Sequence, residues 1–239
     1  HDLDVARRLQ RGLLPNSAPK LSGYGFYSVY QPAEKVGGDF YDFIRLPDNR
    51  LAVLVADVSG EGVPAALVMA RFASDARHFL LEHDDPCQAL AKLNKSLIQS
   101  DLDGRYITLV AAVIDPNTHR ATLVNAGHWA PLLRKANGST QAVAGADNDF
   151  SLGWFADAVF HPFHIQLEPG DRIAMYTDGI LDARDPAGEQ YGPVRLHKAL
   201  AKSATSVVEQ GKQLFTEVRN FIGEAPQADD MCLLLFGRK

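Results

Sequence analysis

Sulfur is scarce in this 239-residue chain, which has two cysteines and three methionines. Cys87 and Cys232 cannot frame a disulfide scaffold, and no Cys or His pair has the close spacing of a zinc site. Cys87 falls in a helical pattern and Cys232 in an apolar run, so both read as reduced core residues of a cytoplasmic protein. No apolar stretch approaches the roughly 20 residues of a membrane span, and no signal peptide is visible. A basic excess is missing too: 24 Lys+Arg face 29 Asp+Glu, a formal net charge of −5, which argues against a nucleic-acid partner. Internal repeats and low-complexity tracts are absent, and a 46% hydrophobic content excludes a disordered chain. There is no G-x-x-x-x-G-K-[ST] phosphate loop, and neither Ser59 nor Ser151 lies in a G-x-S-x-G turn. Starting at His1, the chain reads as a domain excised from a longer protein.

What is present alternates between two periods. Residues 2–14 place Leu3, Ala6, Leu9 and Leu13 on one helical face, and Pro15 ends the run. Strands are predicted over 24–31, 39–46 and 51–56, the last two joined by the turn Pro47-Asp48-Asn49-Arg50. Helices follow over 63–81, with Pro64 in the first turn, and over 86–100. Strands return at 106–114, 120–126 and 131–135; 144–153 reads as loop. Strands near 159–167 and 171–177, helices near 193–202 and 205–222, and a closing strand over 231–236 complete the pattern. Strands, two helices, more strands and two helices predict one α+β domain with packed antiparallel sheets.

Aspartates recur where apolar strands end: Asp39 and Asp42 in GGDFYD, Asp57 in VADVSGEG, Asp178 in YTDGI, Asp229 and Asp230 in ADDMCLLLF. Any one of them could simply cap a turn, and each glycine beside them could simply shape one. Together they say more. If the strand ends converge, two carboxylates about 5 Å apart repel by roughly 3 kcal/mol at an effective dielectric near 20. Divalent cations relieve that repulsion, and an all-oxygen donor set selects hard ions, Mg²⁺ or Mn²⁺. Gly37-Gly38, Gly60, Gly62 and Gly179 would let the chain approach such a site closely. With no activated Ser or Cys nucleophile in sight, water is the expected attacking group.

In chain order, GGDFYDF, VADVSGEGVPAALVMA, NAGHWAPLL, PGDRIAMYTDGILDARDPAGEQYG and ADDMCLLLF resemble the motifs of the metal-dependent type-2C protein phosphatases, and most closely the bacterial SpoIIE/RsbU-like branch. The likeness runs over residues 9–236. It implies a four-layer αββα sandwich, two central antiparallel sheets flanked by helices, and hydrolysis of phosphoserine or phosphothreonine on a protein. It implies two Mg²⁺ or Mn²⁺ ions, with a third, weaker one as an option, and a hydroxide bridging them. Position by position, Asp39 corresponds to the ligand of the second metal, Asp57 to the bridging ligand with Val58 offering its carbonyl, Asp178 to the ligand of the first metal, and Asp229 to the final acidic ligand. Asp42 and Asp230 would orient metal-bound waters. ARRLQRGLLP resembles the helix that joins such domains to an upstream sensor, so residues 1–15 are expected to be a switch helix and 16–239 the phosphatase domain.

Departures from the pattern set further expectations. Eukaryotic members carry an arginine shortly before the first acidic motif; here Lys35 is the local cation, as a phosphate contact or as a solvated lysine. His128 is expected to be a buried structural histidine or else a proton donor to the leaving serine oxygen. His161 and His164 read as structural or exposed, and Trp154 as core packing. The expected substrate is a phosphorylated STAS-domain regulator, with self-association through the 2–14 helix, or packing of that helix on its own domain, as the two options. A catalytically inactive phosphoprotein-binding or dimerisation regulator, and another dinuclear metal phosphohydrolase, are the alternatives.

Overall fold

A computed structural model describes residues 2–145 and 150–239. The elements run α1 (Asp2–Leu13), β1 (Tyr24–Gln31), β2 (Phe40–Arg45), β3 (Leu51–Val58), α2 (Gly62–Glu82), α3 (Pro86–Gln99), β4 (Ile107–Asp115), β5 (Arg120–Ala126), β6 (Leu132–Arg134) and β7 (Thr140–Ala142). They continue with β8 (Pro162–Gln166), β9 (Arg172–Tyr176), α4 (Asp178–Leu181), α5 (Gly192–Ala201), α6 (Val207–Ile222) and β10 (Met231–Arg238).

Two antiparallel five-stranded sheets result, ordered β1-β10-β9-β6-β7 and β2-β3-β4-β5-β8. The central strands are apolar on both faces because both faces are covered. In β3, Leu51, Val53 and Val55 face the other sheet, where Cys232, Leu234 and Phe236 of β10 meet them. The alternate residues Ala52, Leu54 and Ala56 pack under α2 and α3, against Met69, Phe72 and Leu90. On the far side Leu233 and Leu235 of β10 lie under Leu196, Leu214 and Val218 of α5 and α6. Three apolar layers thus alternate with helix, sheet, sheet and helix, as the resemblance implied. Each fully buried Leu contributes about 2 kcal/mol, which makes the sandwich a stiff frame for the loops at its ends.

Local chemistry fixes the joints. Asp48 and Asn49 both take positive φ (59° and 59°) in the turn between β2 and β3, a conformation that Asn and Asp tolerate better than other side chains. Asp85 caps α3 by accepting from the Cys87 amide at 2.9 Å, with Pro86 in the first turn. Ser206 caps α6 through the Glu209 amide at 3.1 Å.

Two elements depart from the sequence expectation. The strand β7 is three residues, Thr-Gln-Ala, at the sheet edge and largely exposed, so it carries no apolar alternation to detect. Asp178 does not merely precede a turn; it opens the one-turn helix α4. The loop expected over 144–153 falls partly on residues 146–149, outside the described residues. Cys232 is buried and Cys87 half-buried. No helix among the described residues is long and apolar enough to cross a membrane.

Candidate active site

Five of the acidic residues singled out above, Asp39, Asp57, Asp178, Asp229 and Asp230, come together at one end of the sandwich. Asp39 directly precedes β2, Asp57 is the penultimate residue of β3, Asp178 opens α4 after β9, and Asp229 and Asp230 directly precede β10. Since β2 pairs with β3, and β9 with β10, the two sheets deliver these carboxylates from the same edge.

Electrostatics records the convergence. Burial pushes the Asp57 carboxyl up to about 7, helped by the charges of Asp178, Asp229 and Asp230. Asp39 is fully enclosed and raised well above the usual carboxylate range, first by burial and then by Asp57. Asp178 is raised by burial and by Asp229 and Asp182. A cavity of about 490 Å³ opens over Asp57 and Asp178, walled by Ser59, Tyr106, Thr108, His128 and Trp129. Its described lining contains no lysine or arginine to balance them.

Backbone and side-chain hydrogen bonds hold the carboxylates in place. Thr177 donates its hydroxyl to Asp39 Oδ2 at 2.6 Å and accepts from the Cys232 amide at 3.0 Å, tying the first acidic motif to β9 and β10. Asp230 turns away from the cavity: its Oδ1 accepts from the Ala33 amide and its Oδ2 from the Gly38 amide, each at 2.8 Å. It positions the Gly37-Gly38-Asp39 loop. That loop requires glycine for space rather than for φ, because a Cβ on Gly37 would lie 1.7 Å from Asp230 Oδ2. A Cβ on Gly38 would lie 2.9 Å from the Val58 carbonyl oxygen, which places that carbonyl beside the loop that carries Asp39.

His128 is 4% exposed and spans the two sheets. Its Nε2 lies 3.0 Å from the Tyr176 carbonyl, which can only accept, so Nε2 carries the proton. Nδ1 then accepts from the Thr108 hydroxyl at 2.7 Å. Burial lowers its pKa to about 4. The ring is neutral with both nitrogens engaged, the geometry of a structural strut. His161 and His164 are exposed.

Asp42 and Lys35 have partners the sequence did not show, and Trp154 departs from its expectation. Asp42 faces the helix layer with Phe40 and Ile44, where its Oδ2 takes a hydrogen bond from Arg77 Nη2 at 2.5 Å. Lys35 is spent on Asp4 of α1 at 2.8 Å, a half-exposed pair of little strength. Trp154 is not core: it is 58% exposed. The sequence reading also missed Gln10. This side chain of α1 is 7% exposed; its Nε2 donates to the Gly37 carbonyl at 2.7 Å and its Oε1 accepts from the Gly37 amide at 3.1 Å. A lone Gln inside an amphipathic helix gives no signal of such a role, and neither does Thr177.

Among the described residues no three His, Cys, Asp or Glu side chains form a closed cluster able to hold an ion by themselves. Small hard cations keep several waters and need only one or two carboxylates. The donors here are all oxygen, crowded and uncompensated, so they fit such a cation.

Comparison with known proteins bears on the family and the fold. IcfG of Synechocystis is 26% identical over 260 residues, covering 98% of this chain and 41% of IcfG. The phosphoserine phosphatase RsbU of Bacillus subtilis is 26% identical over 243 residues, covering all of this chain and 70% of RsbU. This chain therefore spans well under half of the first relative. The SiaA-PP2C domain of Pseudomonas aeruginosa superposes with a TM-score of 0.87 at 25% identity, over 100% of this chain and 96% of that one. Residues 47–239 match the family model described as Stage II sporulation protein E (SpoIIE), so the chain belongs to the SpoIIE family of PP2C-type phosphatase domains.

Proposed function

We propose that this domain is a metal-dependent protein serine/threonine phosphatase that releases phosphate from phosphoserine on a partner protein. One observation carries the reading: Asp39, Asp57, Asp178 and Asp229 are gathered from separate segments of the chain, with no cation among the described residues raising or lowering their charge balance. Two Mg²⁺ or Mn²⁺ ions would be held by Asp39, Asp57, the Val58 carbonyl, Asp178 and Asp229. When bound, such ions neutralise phosphoryl oxygens and lower the pKa of water. The protein's own part is placement. Thr177 fixes the Asp39 carboxylate, Asp230 fixes the loop ahead of it, and His128 fixes the carbonyl one residue before Thr177. Cys232 does not compete as a nucleophile in that cavity, since it is buried in the core with its thiol pushed up.

Mn²⁺-dependent phosphate release from p-nitrophenyl phosphate, abolished by EDTA, is the expected result. No turnover with either metal would overturn the reading and favour an inactive phosphoprotein-binding regulator. The substrate class we infer, from the family and from the RsbU likeness, is a phosphorylated STAS-domain protein; phosphate release from such proteins, repeated across metals, checks it.

The same reading extends to α1. Gln10 and Lys35 dock the helix on the domain, yet Leu3, Leu9 and Leu13 stay exposed at 43%, 70% and 40%. That stripe fits a second copy of the helix, through which an upstream sensor would act. Sedimentation should give a dimer that becomes a monomer on deletion of residues 1–14; a monomer in both cases would sink the relay.

A further inference from the structure

Beside the acidic cavity lies a second one of about 370 Å³, walled by Leu97, Ile98, Leu102, Arg105, Tyr106 and Trp154. The two share Tyr106. Its ring rests on Trp154 with centroids 4.8 Å apart, and Trp154 stacks on Phe155 at 6.3 Å. Trp129, on the rim of the acidic cavity, is 49% exposed, and Trp154 and Phe155 are 58% and 48% exposed. Large aromatics left in water side by side, and continuous with a site, mark a recognition surface.

This wall is built to a shape. Residue 106 is stitched to the Asp57 turn, since the Tyr106 amide donates to Ser59 Oγ and the Ser59 amide to the Tyr106 carbonyl, each at 2.9 Å. Gly153 has φ of 87°, and a Cβ there would lie 2.9 Å from Leu102, so the turn that presents Trp154 is flush against the cavity floor. Asn94 holds that turn, accepting from the Gly153 amide at 2.8 Å and donating to the Phe155 carbonyl at 2.7 Å. Arg105 contributes a buried Nε–H with no acceptor among the described residues, 3.5 Å from where a Gly60 Cβ would be. Its ion-pair partner among the described residues, Asp103, is 93% exposed at the side chain.

We propose that this second cavity is a specificity subsite that receives an apolar side chain of the phosphoprotein two or three residues from the phosphoserine. The proposal rests on the phosphatase reading above. Tyr106 is the partition between the two cavities, so an extended segment, advancing about 3.3 Å per residue, crosses it in that span. Arg105 Nε–H would meet a carbonyl of the bound segment, supplying the acceptor it lacks. A phosphoester without a flanking chain, such as p-nitrophenyl phosphate, uses the acidic cavity alone.

The test uses the Mn²⁺-loaded protein and phosphoserine nonapeptides that differ only two or three residues from the phosphoserine, carrying Phe, Leu, Ala or Glu. The wild type should favour Phe or Leu over Ala by about ten-fold in kcat/KM, carried by KM. Trp154→Ala should shrink that ratio below two-fold, and Trp154→Phe should restore most of it, which a general loss of folding could not do. Equal kcat/KM across the peptides, or a preference that survives Trp154→Ala, would overturn the subsite while p-nitrophenyl phosphate turnover persists. Wild-type protein inactive on every substrate would overturn the phosphatase reading and the subsite with it.

Discussion

Replacing Asp57 by Asn should lower Mn²⁺-dependent turnover by about 10²-fold or more and, in EDTA at pH 8, raise the midpoint of thermal unfolding by about 5–10 °C. The two effects have one cause. Burial and the nearby charges of Asp178, Asp229 and Asp230 push the Asp57 carboxyl up to about 7. In the unfolded chain the same group titrates near 3.8. Between those values the folded protein keeps a proton that the unfolded chain has released. The stabilisation is therefore full below about pH 4, is lost as pH rises through about 7, and stays lost above it. A shift of that size corresponds to about 4 kcal/mol, shared with the neighbouring carboxylates. Asparagine keeps the side-chain shape, removes the charge and offers an N–H₂ to the remaining carboxylates. In Mn²⁺ at 1,000 times Kd that advantage should vanish, because the wild type gains about 4.1 kcal/mol of binding free energy that the variant largely forgoes. Calorimetry at pH 5 and pH 8, with EDTA or Mn²⁺, reads all four arms. Identical midpoints for the two proteins in EDTA at pH 8, or undiminished turnover at intact metal content, would refute the assignment. Such a trade of stability for activity is common where like charges are held together for function.

That crowding was legible in the sequence because it is written in spacing: an aspartate at the end of each of several apolar strands. The sandwich was legible for a related reason. β3 and β10 are buried on both faces, so each reads as an unbroken apolar run with short, clear bounds. What failed were elements too short to show a period, β7 at three residues and α4 at four. Within the acidic motifs, direction adds what spacing alone does not show. Asp39 and Asp42 are three residues apart, an odd number, so along an extended chain they point to opposite faces. Asp42 therefore lies with Phe40 and Ile44 under α2, where Arg77 meets it, and its strand parity was the available signal. Lys35 and Gln10 depend on where α1 docks, which is tertiary information that no local pattern contains. Trp154 illustrates the converse. An aromatic in a loop defaults to core, and only the fold reveals that Gly153 and Asn94 hold it out in solvent.

Gly179→Ala should remove most activity, by more than ten-fold, through geometry alone. Gly179 follows Asp178 in α4, and a Cβ there would lie 1.8 Å from the Asp230 carbonyl oxygen and 2.8 Å from its carbon. Both neighbours are backbone, so no side chain can rotate away. The helix turn and the 229–230 segment must separate, and they are the two pieces that carry Asp178 and Asp229. The same displacement strains the grip of Asp230 on the Gly38 amide, and with it the approach of Asp39. Overpacking of this kind costs about 1–3 kcal/mol, so the folded protein should persist with a lowered unfolding midpoint while its demand for Mn²⁺ rises. Gly12→Ala is the matched control. Gly12 lies in α1, a Cβ there meets nothing within 4 Å, and alanine should stabilise the helix by up to about 1 kcal/mol. Mn²⁺ titrations of p-nitrophenyl phosphate turnover in the two variants decide the matter. If Gly179→Ala matched wild type in both metal requirement and rate, the close approach of α4 to the turn before β10 would not be what sets the carboxylates in register.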